Sequence, residues 1–391
     1  MEAYLDNSAT TRCYEEVKDI VVKTMMEDYG NPSAMHQKGV EAEVYMREAA
    51  RILAKLLKVK EGEIYFTSGG TESNNWALLG TALANRRQGK HIITTAIEHA
   101  AIAAPAAFLE EQGWQVTRLG VDARGQINLQ ELENAITEET VLVSVMYVNN
   151  EIGTVQKISE IGEQIKKRNP RTYFHVDAIQ AFGKYRILPR KMGIDMLSVS
   201  GHKIHGPKGS GFLYLGEKVK VHPLIMGGGQ QNNMRSGTDN VPGAAGLGKA
   251  AELIYRDLET NRSHMYELKR HLTEELKKLP DVVIHGMPVE EGAPHIVNVS
   301  FLGVRSEVLL HTLEERNIYV SAGSACSSHK RAGSATLTAI GCSKAEMESS
   351  LRFSFSELTT MEEIDYALEE LRQVLPVLRR YTRPVSYTHL T

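Results

Sequence analysis

Two short segments carry groups suited to one kind of chemistry. Ser198-Val199-Ser200-Gly201-His202-Lys203 ends a strand-like run on a lysine, and His175-Val176-Asp177-Ala178-Ile179-Gln180 ends another on an aspartate. A lysine amine condenses with the aldehyde of pyridoxal 5'-phosphate (PLP) to an imine, and an aspartate against the pyridine nitrogen keeps it protonated, so that the ring accepts electrons. A third segment, Phe66-Thr67-Ser68-Gly69-Gly70-Thr71-Glu72-Ser73-Asn74, follows a strand and opens a helix. Its small residues let backbone N–H groups approach a phosphate at the helix start, Thr71 adds a hydroxyl, and Ser200 and His202 add donors from the lysine strand. Taken alone, the Gly69-Gly70-Thr71 turn reads equally well as a capped helix start. The lysine and aspartate segments favour the phosphate. His99, just past a predicted strand, has the ring to stack on a pyridine and shuttle protons, although a lone histidine there is more often structural. In Asn149-Asn150-Glu151-Ile152-Gly153, an amide can bond the phenolic oxygen or the substrate, and Gln180 is a second candidate for that oxygen.

These groups need a scaffold that gathers strand ends. Residues 63–67, 91–95, 115–119, 141–146, 172–177, 196–200 and 211–215 read as strands, with helices over 40–57, 73–85, 100–112, 129–135 and 158–168. Such alternation predicts an α/β fold with a mostly parallel sheet, whose ligands sit beyond the strand carboxyl ends. Near residues 243–248 the pattern changes to a long helical stretch over 250–279. Strands over 282–285, 296–300 and 351–354 and helices over 307–316 and 361–379 follow. The expected division is a large domain over 15–250 and a smaller α+β domain over 1–14 and 251–380. The ending over 381–391, past Pro384, has no packing logic and reads as disordered or foreign to the fold.

Composition excludes several classes. The chain has 391 residues, a net charge of -3 and ordinary hydrophobic content (42%), which argues against nucleic acid and anionic membranes as partners. It shows no secretory signal and no apolar run of membrane-spanning length. Three widely spaced cysteines, Cys13, Cys326 and Cys342, fit neither a disulfide framework nor a zinc site and suit a reducing cytoplasm. His202 and His205 lack a third ligand, so no metal is expected.

Taken together, the segments resemble a fold-type I PLP-dependent enzyme of the class V aminotransferase group, and more closely a cysteine desulfurase of the NifS/IscS type. The resemblance rests on Tyr4-Leu5-Asp6-Asn7-Ser8-Ala9-Thr10-Thr11, Gly30-Asn31-Pro32-Ser33, the Thr67–Asn74 segment, Glu98-His99, Val148-Asn149-Asn150-Glu151-Ile152-Gly153, His175-Val176-Asp177, Ser200-Gly201-His202-Lys203, Met234-Arg235-Ser236-Gly237-Thr238, Gly323-Ser324-Ala325-Cys326 and Arg352-Phe353-Ser354. It implies that Lys203 carries PLP, that Asp177 pairs with the pyridinium nitrogen and Gln180 with the phenolic oxygen, and that His99 stacks and acts as acid/base. Gly70, Thr71, Ser200 and His202 would hold the phosphate, and Thr238 would reach the phosphate of a neighbouring subunit, so the implied unit is a homodimer. Asn31, Asn150 and Arg352 would hold the substrate α-carboxylate. Cys326 would attack the sulfur of L-cysteine, becoming a persulfide and leaving L-alanine. A sulfur-acceptor protein, serving iron–sulfur cluster assembly or tRNA thiolation, is the implied partner. Without the resemblance, Cys326 reads as a small core residue. Two alternatives remain: an aminotransferase or selenocysteine lyase of the same group, and a sulfur-trafficking protein without catalysis. The long segment over 321–350 favours the desulfurase, and the presence of Lys203, Asp177 and His99 together favours an enzyme.

Overall fold

A computed structural model of the protein describes residues 1–322 and 333–381. The chain enters through a short strand, β1 (Ala3–Tyr4), and two helices, Glu15–Met26 and Gln37–Leu57. Seven strands follow: β2 (Ile64–Thr67), β3 (His91–Thr95), β4 (Gln115–Leu119), β5 (Thr140–Met146), β6 (Tyr173–Asp177), β7 (Met196–Ser200) and β8 (Gly211–Leu215). They form one sheet in the order β2-β8-β7-β6-β5-β3-β4, in which only β8 runs against its neighbours. Strands β3, β5, β7 and β8 are buried at every position, as expected of a sheet covered on both faces. The mostly parallel α/β architecture read from the alternation is the one observed. The carboxyl ends of β2, β3, β5, β6 and β7 therefore share one edge.

A second, antiparallel sheet is built from β9 (Val282–His285), β10 (Ile296–Phe301), β12 (Ser321–Ala322) and β13 (Ser350–Ser354), in the order β12-β13-β10-β9. Strand β11 (Ile318–Tyr319) pairs in parallel with β1. That pairing buries Ala3 and Leu5 in one core with Leu268, Phe301, Phe353 and Leu371, under the helices Leu258–Leu276 and Met361–Tyr381. It also carries Asp6 alongside Ser354 of β13.

The structure departs from the sequence reading at three places. Glu63 lies in a 3-10 turn (Glu61–Glu63), not in β2. Its buried carboxylate accepts from the backbone N–H of Lys60 (2.7 Å) and Glu217 (3.1 Å) and from Arg190 (2.8 Å), contacts a strand position would not offer. The helix expected over 73–85 starts at Gly70 and passes through a π turn (Trp76–Gly80) where Trp76 is buried and donates to the carbonyl of His222. The helical stretch over 250–279 is two helices, Val241–Arg256 and Leu258–Leu276, and residues 243–248 lie inside the first. Glycine serves there for close approach rather than as a boundary. A Cβ on Gly248 would fall 2.9 Å from Cα of Ala49, and one on Gly246 would fall 2.5 Å from Pro207 Cγ. Gly248→Val is expected to force the helices apart and to lower stability by about 2–3 kcal/mol, read as a lowered denaturation midpoint.

Candidate active site

A cavity of about 350 Å³ opens at the shared strand edge, lined by Gly70, Thr71, His99, Asn150, Asp177, Gln180, Ser200, His202, Lys203 and Arg352. Each comes from a segment singled out in the sequence. Lys203 follows β7 through a single 3-10 turn, and its Nζ donates to the carbonyls of Ser8 (2.5 Å) and Ala9 (2.7 Å). Asp177 ends β6 and is buried, with Oδ2 accepting from Asn74 Nδ2 (2.7 Å) and Oδ1 from the Ile179 N–H (3.0 Å). Burial pushes its carboxyl above the usual range, against those hydrogen bonds and the charges of His99 and Lys203. A buried carboxylate of this kind is strongly stabilised by a cationic N–H donor delivered into the cavity.

His99 caps the helix Ala100–Glu111, its Nδ1 accepting from the Ala101 N–H (3.1 Å). That bond occupies the Nδ1 lone pair, so the neutral ring carries its proton on Nε2 and presents it as a donor. His202 bonds Thr10 Oγ1 through Nδ1 (3.2 Å); burial, and then the charge of Lys203, hold it at about 4, so it is a neutral donor. Arg352 is pinned from two sides, with Nη1 donating to the Asn150 carbonyl (2.7 Å) and Nη2 to Asp6 Oδ1 (2.9 Å) and Ser321 Oγ (3.0 Å). Its Nε is buried with no partner among the described residues, a donor suited to an incoming carboxylate.

These residues fit PLP. The start of the helix at Gly70 offers backbone N–H groups, and a Cβ there would fall 2.2 Å from Ile179 Cδ1. The Ser8 hydroxyl, also on the cavity wall, is buried without a partner among the described residues. Thr71, Ser200 and His202 could add donors for a phosphate, Asp177 could accept from a pyridinium N–H, and Lys203 could supply the amine.

One neighbour lies behind the cavity wall. Glu98 is half-buried with Oε2 enclosed, and its Oε1 accepts from Thr95 Oγ1 (2.7 Å) and the Met146 N–H (3.0 Å). Burial raises its carboxyl from 4.5 to about 8. The folded protein therefore keeps this proton longer than the unfolded chain does, so stability falls as pH rises from about 4.5 and levels off above about 8. Glu98→Gln retains the accepting Oε1 and cannot ionise. It is expected to match the parent at pH 5 and to melt a few degrees higher at pH 9.

Residues 3–367 match the family model for the class-V aminotransferases. This chain belongs to the class-V aminotransferase family. Within it, the chain is one of the NifS/IscS-like cysteine desulfurases. It is 46% identical to the cysteine desulfurase IscS of Methanosarcina thermophila over 96% of this chain and 92% of that protein. To the cysteine desulfurase IscS of Clostridium botulinum it is 42% identical, over 98% and 96%. Among solved structures, a NifS-like protein superposes with a TM-score of 0.92 at 38% identity, over 97% of this chain and all of that one. SspA in complex with cysteine gives 0.79 at 34% identity, over 92% of this chain and all of that one.

Two predicted site residues of this family member lie elsewhere. Asn31 is exposed and outside the cavity, its Oδ1 accepting from the Ser33 N–H (2.9 Å), and Thr238 is likewise exposed and outside it. Cys326 lies outside the described residues. Cys13 and Cys342 are half-buried and do not line the cavity; burial raises both thiols, Cys342 to about 11, which keeps them protonated and poorly nucleophilic. Sequence reasoning gave no roles to Asp6, Ser8, Asn74, His295 and Ser321. Asp6, Ser8 and Asn74 lie within quoted motifs, which was the available signal. Ser321 opens the segment over 321–350, and His295 had no signal, because its partner Gln180 is distant in sequence.

Proposed function

We propose that this cysteine desulfurase uses PLP held on Lys203 and passes the sulfur of L-cysteine to Cys326 as a persulfide, releasing L-alanine. The observation that carries the reading is one cavity holding the Lys203 amine, the buried Asp177 carboxylate and the unpartnered Nε of Arg352. When bound, PLP draws electrons away from the amino acid's α-carbon.

The protein's own groups do the rest. Arg352 takes the α-carboxylate through Nε, its orientation fixed by Asp6, Ser321 and the Asn150 carbonyl. His99 donates its Nε2–H into the cavity and takes up a proton only when Nδ1 gives up the Ala101 N–H. The Ser8 and Ala9 carbonyls accept from the Lys203 ammonium. The Cys326 thiolate attacks the substrate sulfur, forming an S–S bond as the C–S bond breaks. That electron pair stays with the carbon skeleton, which takes up a proton to become alanine.

The unit is proposed to be a homodimer, with Thr238 reaching the phosphate site of the neighbouring subunit. Exposed Met26, Tyr29, Met35 and Met226 support this, because large apolar side chains in such numbers suit a covered face. The sulfur passes on to an acceptor protein in the cytoplasm, for iron–sulfur cluster assembly or tRNA thiolation. No helix among the described residues is long and apolar enough to cross a membrane.

The test is to supply PLP, L-cysteine and a reductant to the purified protein. Alanine and sulfide in equal amounts, with a visible absorbance band that borohydride removes, are expected. A protein still colourless after PLP addition, or one forming a keto acid without sulfide, overturns the reading.

A further inference from the structure

Gln180 reaches the cavity with both ends of its amide already engaged by the protein. Its Nε2 donates to the Ser8 carbonyl (3.0 Å), and its Oε1 lies 3.2 Å from Nε2 of His295. A carbonyl only accepts, so the first contact fixes the NH2 group toward Ser8 and the oxygen toward His295. Two acceptors cannot share the second contact, so His295 Nε2 must carry the ring's proton. The surroundings agree. His295 is buried, and its Nδ1 has no partner among the described residues; a lone pair is tolerated there more readily than an orphaned N–H. Burial, together with the nearby charges of Lys184, Lys269, Arg352 and Lys203, keeps the ring neutral.

We propose that His295 is a positioning residue: by donating Nε2–H to Gln180 Oε1 it locks the amide so that an N–H, and never the C=O, is presented to an acceptor oxygen in the cofactor cavity. The inference rests on the PLP reading of that cavity. His295 lies at the foot of β10, far from Gln180 in sequence and outside every motif, and it touches the cavity only through the amide.

Two measurements test it. In apo-protein labelled with 15N, side-chain histidine resonances are expected to show His295 as the Nε2–H tautomer; the Nδ1–H tautomer overturns the proposal whether or not PLP binds. In the second, PLP is titrated into apo-protein and its visible band recorded. His295→Leu is expected to weaken PLP binding about tenfold and to move the band in the direction seen for Gln180→Leu. The double variant should be no worse than Gln180→Leu alone, because the second substitution removes an interaction already lost. His295→Gln, which can present an amide N–H, should recover most of the affinity. A His295→Leu protein with parental band and affinity, or effects that simply add in the double variant, overturns the proposal. Failure of the parent protein to take up PLP would instead defeat the functional reading, while the tautomer would still decide the role of His295.

Discussion

Replacing Cys326 with alanine is expected to lower sulfide release from L-cysteine by about a thousandfold or more, while the PLP band and its response to cysteine persist. Cavity groups can bind the amino acid and move protons, but none is a thiol. Among the described residues the remaining cysteines, Cys13 and Cys342, lie off the cavity with thiols raised by burial, so neither replaces the lost nucleophile. In the function proposed above, substrate binding would rest on Arg352 and its partners Asp6, Ser321 and the Asn150 carbonyl, which the substitution leaves untouched. KM for cysteine should therefore hold within a few-fold while kcat collapses. The measurement is sulfide and alanine release under reductant, beside a cysteine titration followed by absorbance. Retention of more than about a tenth of the sulfide release would show that sulfur leaves without a protein thiol, as in a lyase, and would return the aminotransferase and lyase alternatives to contention.

What the sequence made legible follows from how a parallel sheet works. Its strand interiors must be apolar, so polar groups needed at the site gather just past the carboxyl ends. Asp177, Lys203, His99 and Gly70 each stand directly after such a run, and the structure puts all of them on one cavity. What stayed hidden depends on contacts no local pattern records. Asp6 and Arg352 meet across 346 residues, and the pairing of β1 with β11 that brings them together involves only two-residue strands. The grip of His295 on Gln180 spans 115 residues. Residues 243–248 looked like a boundary because glycine lowers helix propensity, but packing against Ala49 and Pro207 outweighs about 1 kcal/mol per glycine. Glu63 was read into a strand because its neighbours are strand formers, whereas its carboxylate closes the turn before β2.

Lys203→Ala is expected to reduce turnover by about four orders of magnitude or more and to abolish borohydride attachment of PLP to the protein. The fold should survive. The Ser8 carbonyl keeps the Gln180 donor after Lys203 Nζ is gone, and the lost contacts lie on a polar cavity that water enters. PLP should still bind, more weakly, through the phosphate donors and Asp177. Lys203→Arg sharpens the argument, since it preserves the charge but offers no amine for imine formation. One competitor gives the experiment its edge. Lys184 is buried, donates to the backbone carbonyl of Lys203 (3.0 Å), and is lowered by burial to about 8, so a share of it is free amine near neutral pH. It does not line the cavity. Mass spectrometry after borohydride should therefore find a pyridoxyl group on Lys203 in the parent and none on any lysine of the Lys203→Ala protein. An adduct on Lys184 in the parent, or more than about 1% of parental turnover in Lys203→Ala, would move the reactive amine one residue deeper and break the link between Lys203 and the chemistry.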